Sequence, residues 1–309
     1  MTAERRYLPV PDGLIGQRAD AALARMLGMS RSKVADLLDA GHVYASGMPL
    51  ARSAKLSGDM LLDITIPQEE PPADIVVAGM RILHEDPDII VVDKPAGVAA
   101  HPSSGWEGPS VVGSLRASGF RVSNLGPPER EGIVHRLDVG TSGLMVVARS
   151  DRAYSALKRA FKYREVKKKY LALAQGTVTP AVGTIDAPIA HQGGKQWKMA
   201  IRNDGKPAIT HYEVIEELPG ASLVDVDLET GRTHQIRVHF SAIKHPLVGD
   251  LTYGANPKEA EALGLIRQWL HAYELRFTHP GTRETVTFRS EPAEELAAAL
   301  ATLREGRES

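Results

Sequence analysis

Apolar positions recur at helical spacing twice near the start of the chain, from Arg18 to Leu27 and from Arg31 to Ala40, where Val34, Leu37 and Leu38 make a stripe. Ser30 suits the N-cap of the second helix and Gly41 its C-terminal stop. Beyond it, Ser46-Gly47 and Ser57-Gly58-Asp59 are turn signals between short apolar runs. These predict a small helix, helix, strands unit over residues 1–64, with its core in 14–64. The stretch PQEEPPA, Pro67 to Ala73, has no apolar periodicity and predicts a linker within residues 65–78.

Downstream the pattern turns β-rich, with strands expected at Arg81 to His84, Asp88 to Asp93, Gly143 to Ala148, Lys169 to Ala174 and Ser222 to Leu228. A helix from Asp151 to Tyr163 places Tyr154, Leu157 and Phe161 on one face. Strands and helices do not alternate regularly. The predicted class is therefore α+β, a mixed and largely antiparallel sheet with flanking helices over residues 79–300, preceded by a small α/β unit. Residues 301–309 read as a frayed tail.

Composition narrows the chemistry. The 309 residues contain no cysteine, which removes disulfides, thiolate metal sites and cysteine nucleophiles. No apolar run reaches the roughly 20 residues of a membrane helix, and the start lacks a signal-like apolar core, so a cytoplasmic protein without a membrane partner is expected. Lys and Arg number 37 against 38 Asp and Glu, so any nucleic-acid surface must be local. One local strip stands out between Leu157 and Tyr170, where Lys158, Arg159, Lys162, Arg164, Lys167, Lys168 and Lys169 face a single acid, Glu165.

The stretch GIVHRLDVGTSGLMVVA, Gly132 to Ala148, predicts a strand running into His135-Arg136-Leu137-Asp138, a glycine-bounded turn, and a second strand. Such a turn is a rigid mount for a nucleophile. Taken alone, Asp138 equally suits a turn residue that binds backbone N–H groups. A further short helix, capped by Thr233, has an apolar face of Ile236, Phe240 and Ile243 that leaves Arg237 off it. By itself Arg237 reads as a surface arginine, and Tyr170 as a half-buried strand residue.

HRLD followed by TSGL resembles the motif of RluA-type RNA pseudouridine synthases. The resemblance continues through Asp93-Lys94-Pro95-Ala96-Gly97 with His101-Pro102, REVKKKY ending at Tyr170, Gly205-Lys206-Pro207-Ala208, Gly231 to His239, and His245 to Asp250 with Tyr253-Gly254. The first unit resembles an S4 RNA-binding domain through Arg18 and Asp20, Ser30-Arg31-Ser32-Lys33 and Gly58-Asp59, with Ser46 where that family usually has asparagine. The combination is similar to members acting on large-subunit ribosomal RNA.

The resemblance implies that Asp138 is the nucleophile, that Tyr170 stacks on the uracil and relays a proton, and that Arg237 keeps Asp138 ionised. It implies that Arg136 helps extrude the nucleotide, with His135, Thr141, Lys94, Arg232 and His234 binding substrate. RNA contacts are expected at Arg31 and Lys33 and at Lys158, Arg159, Lys162, Lys167, Lys168 and Lys169. Pseudouridine forms by breaking the N1–C1′ bond, turning the base and rejoining it through C5. No redox change occurs, so no cofactor or metal is expected; attack at C1′ and at C6 both fit these residues. The partner is structured RNA, ribosomal RNA or a ribosomal precursor particle, with no obligate protein partner, and aromatics at 5% favour one flipped base over extended stacking.

Three rivals fit less well. A metal hydrolase would need ligand spacing such as HExxH, which the 11 histidines do not provide. A uracil methyltransferase lacks its cysteine and a GxGxxG-like loop. A non-catalytic S4 factor would not need an intact HRLD block. A tRNA substrate is the alternative within the family.

Overall fold

The computed structural model describes residues 3–67, 74–102, 106–193 and 198–308. Contacts divide the chain into two units, Met1–Pro71 and Pro72–Ser309.

The first unit contains β1 (Ala3–Pro9), α1 (Ala19–Leu27), α2 (Arg31–Asp39), β2 (Val43–Ala45), β3 (Met48–Pro49) and β4 (Leu61–Pro67), with sheet order β1-β4-β2-β3. The Ser30 hydroxyl accepts the Lys33 N–H at 3.2 Å and so caps α2. Ala22, Leu23, Val34, Leu37, Leu62 and Ile64 close a separate core. Strand β1 is legible only in three dimensions, because its positions are mostly exposed and it is held by antiparallel pairing to β4. The expected linker is shorter at both ends: residues 65–67 belong to β4, and the Val77 N–H donates to the Ser114 hydroxyl at 2.9 Å. Its middle, residues 68–73, lies outside the described residues.

The second unit contains β5 (Arg81–Glu85), β6 (Ile89–Lys94), α3 (Val111–Ala117), β7 (Ser142–Ala148), α4 (Asp151–Lys162), β8 (Lys167–Gln175), β9 (Val182–Asp186), β10 (Ile189–His191), β11 (Met199–Ile201), β12 (Ile209–Leu218), β13 (Ala221–Leu228), α5 (Gln235–Ala242), α6 (Pro257–Ala262), β14 (Leu270–Thr278), β15 (Thr285–Arg289) and α7 (Glu294–Glu308). Nine strands form one sheet in the order β5-β6-β7-β14-β8-β13-β12-β9, with β15 beside β14. Only the short β7–β14 pairing is parallel, as a mixed, largely antiparallel sheet requires. The five expected strands and α4 are present. Strands β9, β12, β14 and β15 escape a simple pattern because partly exposed positions interrupt their apolar alternation.

Two expectations are corrected here. No strand precedes Asp138: Ile133 makes one bridge to Val147, and residues 134–138 are irregular. The segment meets the edge of β7 only at its far end, where the Ala148 N–H donates to the Gly132 carbonyl at 2.9 Å; at Val146 the N–H is taken instead by the His135 ring at 3.0 Å, which interrupts the ladder. The last residues are helical through Glu308 rather than frayed, because Leu296, Ala299 and Leu300 pack around Trp269 and Arg304 pairs with Glu216 at 2.6 Å.

Candidate active site

A pocket opens where the HRLD turn, β8 and the segment leading into α5 converge, lined by Arg136, Asp138, Thr141, Tyr170, Leu228, Arg232, His234, Arg237 and other residues. The turn carrying Asp138 is braced from several sides. Thr141 N–H donates to the Asp138 carbonyl at 3.0 Å, Arg267 donates to the Gly140 carbonyl and the Ser142 hydroxyl at 3.0 Å each, and the Gln268 amide reaches the Thr141 hydroxyl at 3.2 Å. Gly143 follows with φ +113°, and a Cβ there would stand 2.3 Å from the Ala272 carbonyl oxygen. Only glycine lets β7 meet β14 immediately after the turn.

Helix α5 is fixed on one side by buried polar groups. The Gln235 amide donates to the Ile209 carbonyl and the Thr210 hydroxyl at 2.9 Å each, and His239 bonds the same hydroxyl at 2.8 Å and the Ala187 carbonyl at 2.9 Å. Gln235 and His239 are four residues apart and share a face, so Arg237 projects from the other side. Thr233 does not cap this helix. The cap position is His234 in the left-handed region at φ 55°, without a capping side chain. Nor is Arg237 a surface residue, since it is only 8% exposed.

The Arg237 guanidinium grips Asp250 with two bonds, Nε to Oδ2 at 2.6 Å and Nη2 to Oδ1 at 2.9 Å. Its remaining nitrogen, Nη1, approaches Asp138 Oδ2 at 3.5 Å, and its carbon lies 4.9 Å from the centroid of the Tyr253 ring. Burial works against this charge, but Asp250 and then Asp138 outweigh it and raise the Arg237 pKa above its ordinary value. Asp250 therefore anchors the arginine and Asp138 receives its free edge.

The Tyr253 hydroxyl accepts the Met199 N–H at 3.0 Å and sits 2.8 Å from His234 Nδ1. We assign its proton to that contact, which leaves the His234 ring proton on Nε2, 3.9 Å from Asp138 Oδ2. Burial lowers the His234 pKa, with Asp138 opposing it. Tyr170 is buried, and desolvation, reinforced by Asp138, pushes its hydroxyl pKa up. At neutral pH the site thus presents a neutral histidine, a protonated tyrosine and an arginine cation around one carboxylate. That set can hold a carboxylate nucleophile and a stacked base.

Not every expected residue reaches the pocket. His135 lies behind it: Nε2 accepts the Val146 N–H at 3.0 Å, the ring stacks on Phe161 at 4.5 Å, and burial with nearby Lys168 pushes its pKa down to about 3. Lys94 is fully buried, donating to the carbonyls of Val98 at 2.8 Å, Pro95 at 3.0 Å and Val139 at 3.3 Å. It ties two loops together beneath the turn and does not line the pocket. Arg232 lines the pocket, although its Nε is committed to the Pro207 carbonyl at 3.0 Å.

The basic strip is also divided. Lys158, Arg159 and Lys162 lie exposed on α4, while Lys167 and Lys169 face Asp227 at 3.8 Å and Asp225 at 2.7 Å. In the first unit Lys33 is exposed, and Arg31 shares Asp20 with Arg18 at 3.1 and 3.2 Å.

Sequence reasoning assigned no role to Asp250 or Tyr253. The available signal was chemical: an arginine placed beside a nucleophile needs an anchor, and the block containing both residues was in view. Gly249 carries the same message at φ +82°, where a Cβ would overlap the Arg267 carbonyl oxygen, 2.0 Å away.

Among the described residues one cluster could hold a metal ion: His84, Asp86 and His279. Its geometry is already satisfied. His279 Nδ1 accepts the N–H groups of Gly281 and Thr282 at 3.2 and 3.0 Å, so its proton belongs on Nε2, which donates to Asp86 at 2.8 Å. A metal would have to displace that proton.

Residues 88–242 match the family described as RNA pseudouridylate synthase. A Mycobacterium bovis protein named an uncharacterized RNA pseudouridine synthase is 54% identical over 302 residues, covering 97% of this chain and 98% of its own. The ribosomal large subunit pseudouridine synthase D of Neisseria meningitidis serogroup B is 41% identical over 317 residues, with 98% of this chain and 83% of that protein covered. Among solved structures, human RNA pseudouridylate synthase domain containing 1 is similar at TM-score 0.57 and 30% identity, covering 78% of this chain and 98% of that one.

Proposed function

Because the chain belongs to the RNA pseudouridylate synthase family, we propose that it converts uridines of large-subunit ribosomal RNA to pseudouridine, with the Asp138 carboxylate as nucleophile. The observation that carries the assignment is the placement of Asp138 in a braced turn of a pocket, where Arg237, held by Asp250, offers its free edge at 3.5 Å. Arginine orients the carboxylate without engaging it closely, so an oxygen stays available to attack.

Tyr170 is the proposed stacking and proton-relay group, suited by an apolar ring with a polar tip that stays protonated at neutral pH. Arg136, exposed at the rim, takes the space of the extruded nucleotide. Ribosomal specificity is favoured over tRNA by relatives named for the large subunit, and the first unit, in this reading an S4 domain, adds affinity without chemistry. No metal or cofactor takes part, and the chain works in the cytoplasm.

Asp138→Asn tests the charge while nearly preserving shape. Pseudouridine formation on ribosomal RNA fragments should fall below detection with melting temperature and RNA affinity near wild type; substantial activity refutes the mechanism. Mapping pseudouridines with and without the gene tests the substrate, and changed sites in tRNA alone overturn the ribosomal assignment.

A further inference from the structure

The three lysines that open β8 do not form one basic surface. Strand alternation sends Lys167 and Lys169 to one face of the sheet, where Asp227 and Asp225 of β13 stand within ion-pair distance, at 3.8 and 2.7 Å. Lys168 shares its face with Tyr170, whose side chain lines the pocket. Its amine lies 3.8 Å from the point where a Cβ on Gly231 would stand, and Gly231 is part of the pocket wall.

Lys168 is half-buried and makes no carboxylate ion pair among the described residues. Burial pushes its pKa down to about 8, with Asp227 pulling the other way and Arg164 and Lys167 adding to the depression. A partly desolvated ammonium without a direct ion pair among the described residues, its nearest aspartate engaged by Lys167, is unfavourable at a pocket wall until an anion arrives. Uridine itself is neutral, so the anion must come from the phosphodiester backbone.

We propose that Lys168 holds a backbone phosphate of the nucleotide whose base enters the pocket, and that it alone of the three lysines does so. The proposal rests on reading this pocket as the uridine site. Lys167 and Lys169, neutralised by aspartates on the other face, contribute little to RNA affinity. Arg136 and Arg232 also border the pocket, but Arg136 is exposed and the Arg232 Nε is committed to a carbonyl.

The test compares Lys168→Met, Lys168→Arg and Lys169→Met with wild type on a ribosomal RNA fragment, with melting temperatures on the same preparations. Lys168→Met, close in shape, should raise KM about tenfold at pH 7 with kcat within about twofold, and lower the salt slope of binding by about 0.7 to 0.9, one phosphate contact. Lys169→Met should change neither by more than about twofold, the outcome for a charge already neutralised at the surface. Wild-type binding should weaken between pH 7 and pH 9, because the amine is charged below about 8 and neutral above it. Lys168→Arg keeps its charge and should abolish that weakening. Unchanged KM and slope in Lys168→Met overturn the proposal, as does a fall in kcat alone or an alkaline weakening that survives in Lys168→Arg. An equal effect of Lys169→Met overturns the claim that the lysines differ. The reading of the pocket fails separately, through activity in Asp138→Asn.

Discussion

Asp86 and Asp138 stand near opposite ends of β6, each beside histidine, and their surroundings differ in completeness. Asp86 accepts from His84 at 2.7 Å and His279 at 2.8 Å on Oδ2, and from the N–H groups of Asp88 and Ile89 at 2.7 and 2.9 Å on Oδ1. Burial opposes its charge, but the hydrogen bonds led by His84 outweigh it and hold the pKa at about 2. The close side-chain partners of Asp138 among the described residues, Arg237 at 3.5 Å and His234 at 3.9 Å, both approach Oδ2. A carboxylate with every direction filled is a brace, whereas one held loosely by a well-anchored cation can receive a reacting atom.

Breaking the Asp138 end should have the largest effect. Arg237→Met removes the cation and should lower kcat about 10²–10³-fold, the range for losing one preorganised electrostatic contact, with RNA affinity little changed. Lysine at the same position should rescue only part, because it cannot grip Asp250 with a fork. Single-turnover kinetics beside a binding titration checks this, and wild-type turnover in the methionine variant would remove Arg237 from the mechanism.

Asp250→Asn asks whether the anchor matters as much as the arginine it holds. It should cost about tenfold to a hundredfold in kcat, since Arg237 would turn its fork toward Asp138 and occupy the oxygen that must attack. Equal kcat in this variant would show that Asp138 alone positions the arginine.

Asp86→Asn should separate the two ends most cleanly. It should destabilise the fold by about 1–3 kcal/mol through unsatisfied buried partners, with activity per folded molecule unchanged. Thermal melts and active-site titration would decide it; a lost kcat at unchanged stability would mean the cluster acts on the site.

The pH dependence of stability should also differ between the ends. Asp86 has a folded pKa below its ordinary 3.8, so its contribution is present above that value and is lost as pH falls toward about 2. Lys94, near Asp138, has a folded pKa pushed by burial to about 7 from 10.5, so the unfolded chain holds the extra proton between those values. Its share of stability therefore rises with pH from about 7 to 10.5. Lys94→Met should flatten the alkaline rise and Asp86→Asn the acid loss, each leaving the other limb intact, as denaturant titrations across pH would reveal.

The same contrast runs through what could be read from the chain. The α+β class, the two helices of the first unit with their Ser30 cap, five strands and the Asp138 turn were all visible, because each rests on periodicity, capping or glycine within a few residues. His135 lies in the same motif as Asp138 and Lys94 in another block of the resemblance, yet one packs on Phe161 and the other on carbonyls beneath the turn. A motif fixes the identity of a block but not which way each side chain leaves it. Strand β1 was missed for a related reason: its partner, β4, begins more than fifty residues later.

The sequence by itself determined the family and the chemistry available without cysteine, and through the family resemblance it put forward Asp138, Tyr170 and Arg237, since motif blocks depend on residue types in fixed local order. Only the tertiary structure decided that Asp250 holds Arg237, that Tyr253 orients His234, and that aspartates of β13 stand against Lys167 and Lys169 of β8. Those facts depend on sheet order and strand register, which bring together groups distant in the chain. Whether a charge is neutralised, buried or free to act follows from that proximity.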